Sequence, residues 1–205
     1  MQFNKDHWYD GIFYEKLIAP NQDGVFRIIK SLIKENSKVI DAGCGTGRLP
    51  FQLEDKCSRI DAVDLSQRNI NIANKKLNNK PSQKIFFHHN DLSNFLNNCG
   101  THYDYSVMTY VIHEINEDMR ENIIKTLADF SDHIIIADYL YPVKRSFWSI
   151  LNNTVEFVAG KEHYKGFKSF IAAKGLSGLA ERTGLKIIKE IKNKPLTSHI
   201  VMLEK

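Results

Sequence analysis

The chain of 205 residues carries a net charge of +4 and is 42% hydrophobic, long enough to bury roughly 70% of its unfolded surface in one core. Such a chain needs no staples. Cys44, Cys57 and Cys99 lack ligand spacing and are expected to stay reduced in a cytoplasmic protein without a bound metal. No apolar run approaches the roughly 18 residues of a membrane span, and the lysines, densest at 73–80 and 186–194, are too dispersed for a nucleic-acid groove.

The opening stretch MQFNKDHWYD lacks the charged-then-apolar pattern of a signal peptide. Residues 1–35 carry Trp8, Tyr9, Phe13 and Tyr14 and point to one or two helices ahead of the first strand. From residue 38 onward apolar runs alternate with helical patterns, as in a sheet with crossover helices. Strands are predicted at KVIDA (38–42), RIDAVDL (59–65), KIFFHH (84–89), YDYSVMTYV (103–111) and HIIIADYL (133–140). The fifth is apolar almost throughout, which suits a strand covered on both faces.

Ser66 is placed to cap a helix with Ile70, Ala73 and Leu77 on one face, stopped by Pro81. Asn116 is placed to cap another, with Glu117 and Asp118 in its first turn and Met119, Ile123 and Leu127 facing inward. Residues 142–174 follow the fifth strand and are rich in aromatics: Phe147, Trp148, Phe157, Tyr164, Phe167 and Phe170. A short helix from Ser177 to Thr183 closes at Gly184. LKIIKEIKN (185–193) and SHIVMLEK (198–205) are joined too closely for a crossover helix, so they pair antiparallel. The expectation is one α/β domain over 1–205, a doubly wound, seven-stranded, mostly parallel sheet with one antiparallel strand in a C-terminal hairpin. Within it, 1–35 forms a helical lid, 36–141 the core, 142–174 a cap insertion, and 175–205 the last helix and hairpin.

The stretch VIDAGCGTGRLP (39–50) sets three glycines at alternate positions after the first strand. Glycine lets backbone approach a ligand closely. A P-loop is excluded because Gly47 is followed by Arg48 and Leu49, and a dinucleotide fingerprint fails at its third small residue. Asp41, two residues before Gly43, repels a pyrophosphate and attracts an ammonium or sulfonium charge. Asp64 ends the second strand, where an acid can accept from both ribose hydroxyls. Asp91 follows the third strand and can accept from an adenine amino group. Together these acids describe a pocket for a cationic, phosphate-free adenosine derivative.

VIDAGCGTG, IDAVDLS and HHNDLSNF, in that order, resemble the class I S-adenosylmethionine-dependent methyltransferases of the small-molecule type, closely over about 38–140. The resemblance implies a Rossmann-like methyltransferase fold and S-adenosyl-L-methionine as methyl donor. It implies cofactor contacts from Asp41, Gly43, Cys44, Gly45 and Gly47 in the loop, Asp64 and Leu65 at the ribose, and Asp91 and Leu92 at adenine. Thr109 and Tyr110 are expected to lie against the cofactor.

The segment SVMTYVIHEI is similar to the hydrophobic-His-x-hydrophobic stretch of many small-molecule methyltransferases. It lacks the Asn/Asp-Pro-Pro-Tyr/Phe tetrapeptide of enzymes that methylate exocyclic amines of nucleobases or glutamine side chains, so DNA is not an expected substrate. His113 and His163 are the candidates for taking a proton from the acceptor, because an imidazole titrates near neutrality. Tyr9, Tyr14 and Tyr164 are expected to face the acceptor; His88, His89 and His199 are read as strand residues without chemistry. The expected activity is in-line methyl transfer to a small molecule at oxygen, in a desolvated pocket, with neither RNA nor a membrane as partner. RNA methylation and a non-catalytic, S-adenosylmethionine-binding subunit are the alternatives.

Overall fold

Each apolar run read as a strand forms one. The computed structural model describes residues 22–142, 160–193 and 197–205, with the backbone alone for 161–163. The seven strands form one sheet in the order β3-β2-β1-β4-β5-β7-β6. The chain divides into two compact units, Met1–Val107 and Met108–Lys205.

The first unit runs α1 (Asp23–Leu32), β1 (Ser37–Ala42), α2 (Arg48–Leu53), β2 (Cys57–Asp64), α3 (Gln67–Asn79), β3 (Ile85–His89), α4 (Leu92–Cys99) and most of β4 (Tyr103–Thr109). β1 pairs in parallel with β2 and β4, and β2 pairs in parallel with β3. Val39, Ile40, Ile60 and Ala62 are wholly buried, because a parallel sheet is covered on both faces. α1 buries Val25, Phe26 and Ile29 and is held to α2 by Asp23, which accepts from Arg48 at 2.6 Å and Gln52 at 3.2 Å. Ser66 caps α3 by accepting from the Asn69 N–H at 3.2 Å, and the helix ends ahead of Pro81.

A buried carboxylate is costly unless it is paired and hydrogen-bonded. Asp61 on β2, wholly buried, meets Arg59 Nε at 2.6 Å, His88 Nε2 at 2.9 Å and the Tyr103 hydroxyl at 3.0 Å. Burial alone raises its pKa, but these three donors outweigh it and hold the group at about 2. Asp61 therefore contributes stability that is complete above about pH 4 and is lost as pH falls through about 2.

The second unit holds the 3-10 turn Ile112–Glu114, α5 (Glu117–Phe130), β5 (Ser131–Tyr139), α6 (Lys161–Ala172), α7 (Gly175–Thr183), β6 (Lys186–Lys192) and β7 (Ser198–Glu204). β7 runs antiparallel to both β5 and β6, so the reversed strand lies one place in from the edge. The edge strand β6 carries Lys186, Lys189 and Lys192 and a register slip between Ile187 and Lys189. Both features discourage pairing with another chain. α7 stops at Gly184, whose left-handed backbone turns its N–H onto the Ala180 and Glu181 carbonyls.

Three local expectations are corrected. Asn116 precedes α5 but its side chain makes no capping bond. The inward face of α5 is Arg120, Ile124, Leu127 and Ala128, while Met119 is 47% exposed. The stripe is displaced because the buried Arg120 guanidinium donates to the carbonyls of Ile115 (2.9 Å), His113 (3.0 Å) and Gly166 (2.9 Å). β4 ends at Thr109, two residues early, because Tyr110 turns to a φ of 56°. The readings of Trp8, Phe13, Phe147, Trp148 and Phe157 lie outside the described residues.

Ser66→Ala should lower unfolding free energy by about 1 kcal/mol. Urea denaturation would read this as a lower midpoint with an unchanged slope.

Candidate active site

At the carboxyl end of β1 the chain turns through Gly43, Gly45 and Gly47, at φ of 79°, 54° and 79°. The Gly43 and Cys44 N–H groups donate to the Val63 carbonyl at 2.8 and 3.1 Å, and the Gly47 N–H donates to the Cys44 carbonyl at 3.0 Å. A Cβ at Gly45 would meet no atom within 4 Å, whereas one at Gly47 would lie 2.5 Å from the Phe87 ring. Gly45 thus borders open space. Gly47 serves packing and the start of α2.

Asp64, at the end of β2, has its carboxylate plane fixed by two backbone donors. Oδ2 accepts from the Gly45 N–H at 2.7 Å and Oδ1 from the Ser66 N–H at 2.8 Å. Asp41 is only 1% exposed, and neither of its oxygens has a hydrogen-bond partner. Burial, and then the Asp64 charge, push its pKa up to about 8. Burial and the same two carboxylates hold the Cys44 thiol well above its usual range, so it is a packing group against Ala62, Ile70 and Phe87 and not a nucleophile. Leu65, just past β2, is 37% exposed. Asp91 caps α4, whose first residue is Leu92, with Oδ1 accepting from the Asn94 N–H at 3.0 Å.

In the second unit Thr109 is half-buried at the end of β4. Tyr110 donates its N–H to the Ala137 carbonyl at 2.8 Å and its hydroxyl to Ser198 Oγ at 3.0 Å. Burial pushes that hydroxyl up to about 12. His113, 2% exposed in the 3-10 turn, sets Nδ1 at 2.9 and 3.0 Å from the two oxygens of Asp138, which is wholly buried on β5. Its Nε2 is also buried and lies 3.9 Å from Glu114 Oε1. Tyr139 meets the ring in an edge-type contact and Phe170 at a tilt, with centroids at 4.9 and 6.4 Å. Tyr164 is half-buried on α6 beneath the Lys168 ammonium at 5.4 Å. His163 belongs to α6, but its side chain, like Tyr9 and Tyr14, lies outside the described residues.

Residues 39–131 match the methyltransferase-domain family. Residues 39–131 thus carry a methyltransferase domain. No curated protein matches the methyltransferase by sequence. Among solved structures it is similar to magnesium protoporphyrin IX methyltransferase from Synechocystis PCC 6803 with bound SAM. That match has a TM-score of 0.64 and 15% identity, over 100% of this chain and 88% of that one. It is similar to mitomycin 7-O-methyltransferase at a TM-score of 0.70 and 13% identity, over 94% of this chain and 56% of that one. The N-methyltransferase NodS from Bradyrhizobium japonicum aligns at a TM-score of 0.63 and 13% identity, over 94% of this chain and 98% of that one.

The residues fit S-adenosylmethionine, the methyl donor. An unpartnered buried carboxylate suits its cationic methionine part, and the open side of Gly45 leaves room beside the backbone. Among the described residues no group of His, Cys, Asp or Glu is arranged to hold a metal, and no helix is long and apolar enough to cross a membrane. Sequence reading missed Asp138, which holds His113, and Arg120, which holds the His113 carbonyl. An acid inside HIIIADYL was the available signal for Asp138, since a charge in a strand buried on both faces requires a partner.

Between about pH 4 and pH 8 the folded chain holds a proton on Asp41 that the unfolded chain has released, so the free protein loses stability as pH rises through this window. A bound ammonium favours the ionised carboxylate. The thermal shift caused by S-adenosylhomocysteine should therefore grow from pH 6 to pH 8.5 in the wild type and stay flat in Asp41→Asn. A wild-type shift independent of pH would show that Asp41 does not ionise on binding.

Gly45→Ala and Gly47→Ala should separate binding from folding. Both incur the left-handed penalty of about 1–2 kcal/mol. Gly47→Ala must also displace the Phe87 ring, adding about 1–3 kcal/mol of destabilisation. Gly45→Ala should weaken S-adenosylhomocysteine binding more than it lowers stability, as titration calorimetry and urea melts would show together.

Proposed function

We propose that this methyltransferase acts on a hydroxyl group of a small molecule, by in-line transfer in a water-poor site. The observation that carries the reading is the buried His113–Asp138 pair, because a hydroxyl has to lose its proton as it becomes a methyl ether or ester. When bound, S-adenosylmethionine supplies a methyl already activated on a positive sulfur. The chain's own task is then to hold the acceptor in line, worth roughly 7–11 kcal/mol of the barrier, and to remove water. Asp41 and the loop at Gly45 would hold the methionine part, and Asp64 the ribose.

Two further observations support a small acceptor. The solved structures that the chain resembles include methyltransferases of magnesium protoporphyrin IX and mitomycin. The lysine clusters are also partly neutralised. Lys80 pairs with Glu54 at 2.9 Å, Lys76 turns onto the Thr46 carbonyl at 3.1 Å, and Lys186 lies 3.9 Å from Glu204. A continuous row of unpaired cations, which RNA binding favours, is not the pattern of these three lysines.

The test supplies methyl-labelled S-adenosylmethionine with a low-mass cell extract, a set of phenols and hydroxy acids, a matched set of amines, and total RNA. Label should enter hydroxyl-bearing compounds below about 1 kDa, an upper size consistent with a small-ligand pocket. Label confined to RNA or to amines would replace this reading.

A further inference from the structure

We infer that Lys76, in the last turn of α3, is a positioning residue for the methyl-donor loop, because its ammonium selects the orientation of the Thr46–Gly47 peptide. The inference rests on the proposed role of Gly43–Gly47 at the donor and extends it to a side chain 30 residues away. Lys76 belongs to the lysine-dense stretch 73–80, yet it is half-buried. Its Nζ donates to the Thr46 carbonyl at 3.1 Å and lies 3.3 Å from Thr46 Oγ1. Thr46 is itself only 1% exposed, so the charge has a fixed target inside the molecule.

The bonds of the loop define what this contact controls. The Cys44–Gly45 peptide is held on both sides: the Gly45 N–H donates to Asp64 Oδ2 at 2.7 Å, and the Cys44 carbonyl accepts from the Gly47 N–H at 3.0 Å. The Thr46–Gly47 peptide is held in the same way, by its N–H on Cys44 and by its carbonyl on Lys76. Gly45, with open space on its outer side, lies between these two planes.

Glycine adopts either sign of φ at little cost. At Gly47, where φ is 79°, the residue itself therefore does not decide which way the preceding peptide faces. A flip of that plane would turn the Thr46 carbonyl away from α3 and withdraw the Gly47 N–H from Cys44. A charge-assisted hydrogen bond is roughly twice as strong as a neutral one, so an ammonium on the carbonyl favours the observed orientation strongly. The helix that delivers it is anchored to the same loop and to Asp64. Ala73 backs Gly47, where an added Cβ would lie 3.2 Å from its own, and the Ser66 N–H donates to Asp64 Oδ1 at 2.8 Å. One end of α3 thus sets the carboxylate and the other end sets the loop.

The test measures S-adenosylhomocysteine affinity by titration calorimetry on the full-length protein, with folding checked by circular dichroism. Lys76→Met should raise Kd about fivefold or more. Lys76→Arg, which keeps a cation able to reach the Thr46 carbonyl, should bind as the wild type does. Lys80→Met removes an equal charge one turn on, from a pair with Glu54 at 2.9 Å, and should leave Kd unchanged. In the free protein, exchange of the Gly47 amide hydrogen should quicken about tenfold in Lys76→Met, while that of Ile40 on β1 stays the same. A lysine that only stabilised the fold would move the urea midpoint and neither of these. Wild-type affinity in Lys76→Met, or a loss matched by Lys80→Met or Lys76→Arg, would overturn the inference. If Gly45→Ala weakens binding and Lys76→Met does not, the inference fails alone; if neither does, the reading of the loop as the donor site fails with it.

Discussion

A carboxylate buried without a hydrogen-bond partner is the constraint around which the first unit is arranged. Asp41 is the last residue but one of β1, just ahead of a loop full of N–H donors, yet none of them turns toward it. Those of Gly43 and Cys44 go to the Val63 carbonyl, that of Gly45 to Asp64, and that of Gly47 to the Cys44 carbonyl. The loop satisfies itself and β2 and leaves the acid to be neutralised from elsewhere. In the free chain a proton fills that role, which is how a buried acid avoids the several kcal/mol of an uncompensated charge.

Three buried aspartates among the described residues meet three different fates, set by their donors. Asp61 is surrounded by a guanidinium, an imidazole and a phenol and remains ionised as a tie across β2, β3 and β4. Asp138 has an imidazole and two main-chain N–H groups, those of His113 and Tyr139, and so fixes a side chain instead of a sheet. Asp41 has none. Burial raises the pKa of a carboxyl wherever it occurs; the partner decides whether the group ties a sheet, orients a side chain or takes up a proton.

The sheet was legible because its central strands are buried on both faces and read as apolar runs, and because Ser66 and Gly184 mark helix ends by local chemistry. The loop at Gly43–Gly47 was legible for the same local reason, as was its closeness to Asp64, which the Gly45 N–H makes explicit. Arg120 was not legible. Helical periodicity places a charge outward, and the carbonyls that reverse the rule come from a 3-10 turn and from α6, far apart in sequence. Asp138 was hidden inside an apolar run, and its partner His113 could be seen only as a histidine near a strand end.

One guanidinium grips the main chain of the 3-10 turn and of α6 at the same time, across a gap that only a glycine at 166 allows. The two segments are thereby a single mechanical piece. A displacement of α6 by an ångström breaks a charge-assisted bond to a carbonyl or carries the turn along with it. A change on the outer face of α6 can thus reach the His113 ring through backbone alone, without altering any side chain that touches it.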